Sequence, residues 1–306
     1  MEGPIPVVDF LPYSLVNHCA DDDQLAALAG QLIHAFSTTG FVYLWHHGIP
    51  PAQIDRVFQM SEKFFALPKD VKEKYARPAD NNHGWVTLER ESLNPSRPGD
   101  LKEAFNVTWV EKPPAWPTAE LPEFRDVVLD FYDKCKKLSL HILELIARGL
   151  HVKDVKGFVK SHELMGLGAN ATALRLLHYP PVPAETKPDQ VRCGEHSDYG
   201  SITLLFQDKV PGLEVLNRDG VYVQAPIIEN AVLVNIGDLM QRWTSDRLVS
   251  TKHRVLLPSD GGQMRQSLAF FVHPDDDVMI SCLDGSDKYE PITGKGYLDQ
   301  RFEATY

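Results

Sequence analysis

Cysteine is scarce in this chain, and what there is carries no pattern. The 306 residues hold four, Cys19, Cys135, Cys193 and Cys282, widely scattered and without a CxxC pair. That excludes a zinc ribbon and gives no sign of a disulfide framework. Long apolar runs are missing too: none comes near the roughly 18 residues needed to cross a bilayer. The opening residues, MEGPIPVVDF, lack the basic stretch and apolar run of a secretory signal. Positive charge is in deficit, with a formal net charge of −11. A nucleic-acid binder needs a basic face for its phosphate contacts, and attachment to anionic lipid needs one as well. Neither partner is expected. Two sequons, at Asn106 and Asn170, read as chance matches in a chain without a secretory signal. No internal repeat, low-complexity segment or flexible linker stands out. These absences lead to an expectation of a soluble, cytoplasmic protein.

What is there has two textures. IPVVDF reads as a first strand, and the acidic cluster Asp21 to Asp23 as a helix start. Apolar residues then recur at helical spacing, at Leu25, Leu28, Leu32, Ile33 and Phe36, with Gly40 as the stop. FVYLW follows as a strand, then a helix from about Ala52 to Phe65. A longer helical pattern runs from Phe124 to Leu150. From about Thr172 the chain changes to short apolar runs at close intervals: ALRLLHY, SITLLF, LEVL, YVQA, AVLVNI, HRVLL and QSLAFFV. Gly, Pro, Asp and Asn fill the gaps, the pattern of a β-sandwich or barrel. The fold class is therefore mainly β with flanking helices. The Pro-rich pieces EKPPAWP and YPPVPAETKPD are loops.

The second of those loops leads into GEHSDYGSITLLFQD. Twelve histidines are present, so a lone one means little. His196 and Asp198 differ because they sit two apart: in an extended segment their side chains share a face and can address one ion. The spacing alone is also compatible with a cap beside a stray histidine. A third ligand is found in His253, which opens the run HRVLL. Two imidazoles and one carboxylate on a single triangular face leave coordination positions open, the signature of non-haem Fe(II) oxygenases. Structural zinc sites usually close all four positions. Arg265 and Ser267, two apart at the start of the last long strand, share a face on which a guanidinium fork and a hydroxyl could grip one carboxylate. The plainer alternative pairs Arg265 with a protein carboxylate. HELMG at 162–166 lacks the second His of HExxH, and no GxSxG elbow, P-loop or GxGxxG fingerprint occurs.

HSD, STKHRV and RQS, in that order and spacing, resemble the Fe(II)/2-oxoglutarate-dependent dioxygenases, and more closely their isopenicillin N synthase-like branch. IPVVDF, GFVYLWHHGIP, LRLLHYPP and GDLMQRWTSDRLVSTKHRV extend the likeness over nearly the whole chain, the last resembling a strand pair that carries the distal His. The resemblance implies a double-stranded β-helix, a cupin-like jelly roll, with iron at its open end. It implies an N-terminal mixed α/β region at 1–120, supporting helices at 121–170, the jelly-roll core at 171–275 and a C-terminal tail at 276–306, all in one compact unit. His196, Asp198 and His253 would bind Fe(II). Arg265 and Ser267 would hold the C5 carboxylate of 2-oxoglutarate, with Tyr179 adding a hydroxyl. The cosubstrate would chelate the metal through its C1 carboxylate and keto oxygen, with O2 as co-oxidant and succinate as a product. One departure stands out: plant members often carry Asn where this chain has Leu177, and Arg175 is a candidate to replace that hydrogen bond.

On the substrate side, Phe271 shares the strand face of Arg265, Ser267 and Ala269, and Phe105 and Val107 lie in the segment that resembles the family's active-site lip. These three are the candidate substrate residues. Phe206 and Trp243 read as core, and Lys102 with Glu103 as a structural ion pair. The expected reaction is hydroxylation or desaturation of a small organic molecule. The rivals are a same-family oxidase that takes no 2-oxoglutarate and a non-catalytic metabolite-binding protein.

Overall fold

Helix α1 (Asp22–Thr38) begins where the acidic cluster puts it. The Asp21 carboxylate accepts from the Gln24 backbone N–H at 2.8 Å, and the Gln24 side chain accepts from the Asp21 N–H at 3.1 Å, a reciprocal cap. Leu25, Leu28, Ala29, Leu32, Ala35 and Phe36 form its buried face. Gly40 then reverses the chain at φ +72°, where a Cβ would stand 2.2 Å from the Val249 carbonyl oxygen. Only glycine fits both the angle and the gap.

The computed structural model describes residues 4–17, 20–91, 97–111, 115–183, 185–258 and 262–305. Cys19 and parts of both Pro-rich loops lie outside them. After β1 (Val7–Asp9), α1 and β2 (Phe41–Trp45) come α2 (Pro51–Phe65), α3 (Lys69–Glu73), β3 (Gly84–Val86) and β4 (Glu103–Val107). The long α4 (Phe124–Gly149) and short α5 (Val155–Lys160) precede β5 (Ala173–Tyr179), β6 (Cys193–His196), β7 (Ile202–Gln207), β8 (Leu213–Leu216), β9 (Tyr222–Gln224) and β10 (Val232–Ile236). Then follow α6 (Asp238–Trp243), β11 (His253–Val255), β12 (Arg265–Val272), the pair β13 (Met279–Ile280) and β14 (Ile292–Thr293), and α7 (Gly294–Thr305).

Eight strands form one sheet in the order β1-β2-β10-β7-β12-β5-β4-β3, and four form a second in the order β6-β11-β8-β9. Strand parity divides their side chains between two cores. On β12, Leu268, Phe270 and Val272 join the helices in the larger core, while Ala269 and Phe271 turn toward the small sheet. Leu204 and Leu205 on β7 divide in the same way, as do Val234 and Leu233 on β10. One face of the large sheet is thus sealed by α1, α2 and α4. The other meets Cys193, Leu213, Val215 and Val255 of the small sheet. This two-sheet arrangement, supported by helices on one side, is the expected jelly roll. Strands β1 to β4, from the N-terminal region, are integral to the same large sheet.

The structure corrects one local expectation. Asp238–Trp243 is a helix rather than half of a strand pair, so the distal histidine's strand is only His253–Val255. Leu239, Met240 and Trp243, spaced by one, three and four, are the buried residues of that helix. Among the described residues, no helix is long and apolar enough to cross a membrane. Asn106 and Asn170 of the two sequons are both buried.

Three histidines away from the open end are sealed into the fold: His47, His83 and His162. Burial lowers the first two to about 4 and His162 to about 3. His162 Nε2 meets the Ser201 hydroxyl at 2.8 Å. In the unfolded chain such rings titrate near 6.5 and take up protons that the folded state refuses. Stability should therefore be fully present above about pH 6.5 and fall as pH drops toward 4, by about 1.4 kcal/mol per pH unit for each ring. Chemical denaturation across that range checks it. A midpoint independent of pH would contradict the burial of these rings.

Candidate active site

β6 and β11 pair antiparallel with His196 directly opposite His253, so the ladder itself brings two distant histidines together. Their ring centroids are 4.3 Å apart. Asp198 follows β6, and its Oδ1 lies 3.7 Å from Nε2 of each ring. One ligand atom from each of the three residues falls within 4.8 Å of the others.

The surroundings fix which atoms are offered. His196 Nδ1 is 2.8 Å from the Gly194 carbonyl, and His253 Nδ1 is 3.1 Å from the Thr251 carbonyl. A carbonyl can only accept, so Nδ1 carries the hydrogen and Nε2 keeps its lone pair for a metal. Burial lowers the pKa of both rings, which holds them in the neutral, ligating form. Burial works against ionisation of Asp198. Hydrogen bonds from Thr203 and Asn235 favour the ionised form, and the carboxyl lies below its ordinary value. Asn235 donates to Oδ2 at 2.8 Å, leaving Oδ1 for the ion. The donor set is a facial two-histidine, one-carboxylate triad, and it fits ferrous iron.

A second carboxylate, Asp238, braces this corner. It accepts from the Ser197 hydroxyl at 3.0 Å and the Ser250 hydroxyl at 2.6 Å, and pairs with Arg301 of α7 at 2.9 Å. The Asp238 N–H also donates to the Asp198 carbonyl at 2.7 Å. Gly200 lets the turn close, since a Cβ there would stand 2.3 Å from the Val272 carbonyl.

From the triad a cavity of about 550 Å³ runs between the sheets. Arg265, Ser267, Ala269, Phe271 and His273, alternate residues along β12 and just beyond it, all line it. Arg265 is 1% exposed, and none of the ion pairs among the described residues includes it. Its Nε donates to the Val210 carbonyl at 3.2 Å and its Nη2 to Gln207 Oε1 at 2.9 Å. Nη1 is buried without a partner. The Asp208 carboxyl feels the guanidinium charge without bonding it, so the open donor still favours an arriving anion. Tyr179, paired with Arg265 across β5 and β12, places its ring 5.1 Å from the guanidinium, and Ser267 lies within reach of its hydroxyl. This donor group fits one end of a dicarboxylate.

Leu177 does line the wall and offers no hydrogen bond. Arg175 lines it too, tied to Glu91 by its Nη2. Phe271 faces the cavity as its strand position requires. Phe105 and Val107 do not: both are buried in the larger core, with the Phe105 ring 4.9 Å from Phe64 and 5.3 Å from Phe124. Their neighbour Ala104 faces the small sheet instead, so the expected parity of β4 is off by one residue. Phe206 and Trp243 are core residues. Lys102 and Glu103 are not partners. Lys102 bonds Asp100 at 2.7 Å, whereas Glu103 takes Lys72 at 2.8 Å, Trp85 Nε1 at 2.8 Å and His178 at 3.1 Å. Asn235 went unnoticed in sequence, although a lone amide inside AVLVNI was a signal. Leu298 and Phe302 of α7, which also line the cavity, gave none.

Comparison with known proteins agrees with this geometry. Residues 170–274 match the model of the 2OG-Fe(II) oxygenase superfamily, and residues 5–124 match that of the N-terminal region of a non-haem dioxygenase in morphine synthesis. A protein named proline hydroxylase buaE, from Petromyces alliaceus, is 36% identical over 92% of this chain and 94% of its own. The crystal structure of a full-length Neurospora crassa protein in complex with alpha-KG superposes with a TM-score of 0.87 at 35% identity, covering 99% of this chain and 96% of that one. The same protein with alpha-KG and thymine gives 0.86 at 35% identity, over 99% and 97%. With the triad, the arginine-lined slot and the two-sheet frame in place, the chain belongs to the 2OG-Fe(II) oxygenase superfamily and is an Fe(II)/2-oxoglutarate-dependent dioxygenase.

Proposed function

We propose that this enzyme hydroxylates a small, ring-bearing organic molecule that also carries hydrogen-bonding groups. The observation behind this reading is the cavity lining, which includes Trp109, Tyr199, Phe271 and Phe302 together with the amides of Asn81 and Asn82. Aromatic faces suit a flat or compact ring, and a few amides orient it. Thymine bound to the Neurospora crassa protein and the name of buaE support a substrate of this size. The buried, free thiols of Cys135, Cys193 and Cys282 support a reducing, cytoplasmic setting.

When bound, iron and 2-oxoglutarate supply the O2-activating chemistry, with succinate and CO2 as co-products. His196, Asp198 and His253 hold the metal. Arg265, Ser267 and Tyr179 hold the distal carboxylate of the cosubstrate. Phe271 packs against the substrate, and Phe41, Leu205, Leu213 and Val255 keep water from the inner wall.

Two measurements test the reading. Anaerobic titration with Fe(II) and 2-oxoglutarate should give a metal-to-ligand charge-transfer band in the visible. Under O2, a screen of small ring compounds, including thymine and proline, should find one that gains a single oxygen with matching succinate. A substrate that loses hydrogen without gaining oxygen, or no succinate above the metal-free control, would overturn it.

A further inference from the structure

We propose that Lys102 is a further protein anchor of 2-oxoglutarate, donating to its C1 carboxylate at the metal end of the slot. Lys102 precedes β4 on a segment tied to the approach to β6, where the Leu101 N–H meets the Val191 carbonyl at 2.9 Å. Its side chain is 4% exposed and lines the cavity beside Tyr179, Cys193 and His196. Its charge is felt by both Tyr179, at the cosubstrate end, and His196, at the metal. The cosubstrate has to span those two places.

The ammonium is incompletely matched. It donates to Asp100 Oδ2 at 2.7 Å and to Cys193 Sγ at 3.4 Å. A thiol is a weak acceptor, and an ammonium has three hydrogens. Among the described residues the third has no protein acceptor. The charged neighbours are otherwise paired, Lys102 with Asp100 and Arg175 with Glu91. A buried ammonium hydrogen without an acceptor favours an arriving anion. Leu177 contributes nothing polar to the wall, and Arg175 is engaged by Glu91. Asp100 meanwhile fixes the lysine in place, since its Oδ1 accepts from the Gly194 N–H at 3.1 Å, two residues before His196. The lysine is therefore preorganised against the strand that carries a metal ligand.

A bare structural tie between β4 and β6 is the competing role, and ligand binding separates the two. Levulinate is 2-oxoglutarate with a methyl group in place of the C1 carboxylate. Calorimetry on the anaerobic Fe(II)-loaded protein, at fixed salt, should show Lys102→Met weakening 2-oxoglutarate by about tenfold or more while levulinate changes by less than about twofold. Because the single change leaves Asp100 buried and uncompensated, the double variant Lys102→Met/Asp100→Asn removes both charges and supplies a folded form. If that variant keeps its circular dichroism and binds 2-oxoglutarate within about twofold of wild type, or loses both ligands equally, Lys102 only braces the strands and the proposal fails.

Discussion

Asp198→Ala should reduce turnover to background while leaving the fold standing. The carboxylate is 6% exposed at the open end of the barrel, outside both hydrophobic cores. Its loss removes the only anionic ligand of the triad, so iron affinity falls along with activity. What the fold loses is smaller. The Asn235 amide and the Thr203 hydroxyl each lose an acceptor, costing about 1–3 kcal/mol apiece, against the roughly 5–15 kcal/mol that typically holds a domain together. Iron content, circular dichroism and succinate formation should be measured on one preparation. A variant that keeps turning over would mean the three residues do not form the metal site.

Arg265→Leu should separate cosubstrate from metal. Truncating one partner of a buried, hydrogen-bonded charge pair costs about 2–5 kcal/mol, on the order of thirtyfold to several-thousandfold in affinity. The affinity for 2-oxoglutarate should fall by that much, while Fe(II) binding in its absence stays as in wild type. The separation holds because Arg265 bonds Val210 and Gln207, neither of them in the triad. Equal loss of iron and cosubstrate would show that the arginine supports the whole corner instead. Unchanged 2-oxoglutarate affinity would remove the slot from the mechanism.

Most of the frame was legible in the sequence because local signals and tertiary placement agree there. The cap at Asp21, the helix through Phe131 and Leu138, and the apolar runs of β5, β7, β10 and β12 each satisfy one periodicity. The triad was legible for a different reason: HxD fixes two ligands in one extended segment, and HRV marks a strand opening. The lip was not. β4 is buried on both faces, so EAFNV shows no polar alternation to tell Phe105 from Ala104. GDLMQRW misled for a related reason, since one and a half helical turns are too few to establish a period. The partners of Lys102 and Glu103 could not be read at all. Lys102 precedes the strand and turns back to Asp100, while Glu103 opens the strand and meets Lys72, Trp85 and His178 from segments far along the chain.

Asp238 joins three stretches that the chain visits at very different times: the turn between the two proximal ligands, the approach to the distal one, and helix α7. They are therefore mechanically continuous. One acid ties α7 to the segments that set the positions of both the proximal and the distal ligands. Through that single side chain, the last helix is fastened to the corner where the three ligands converge.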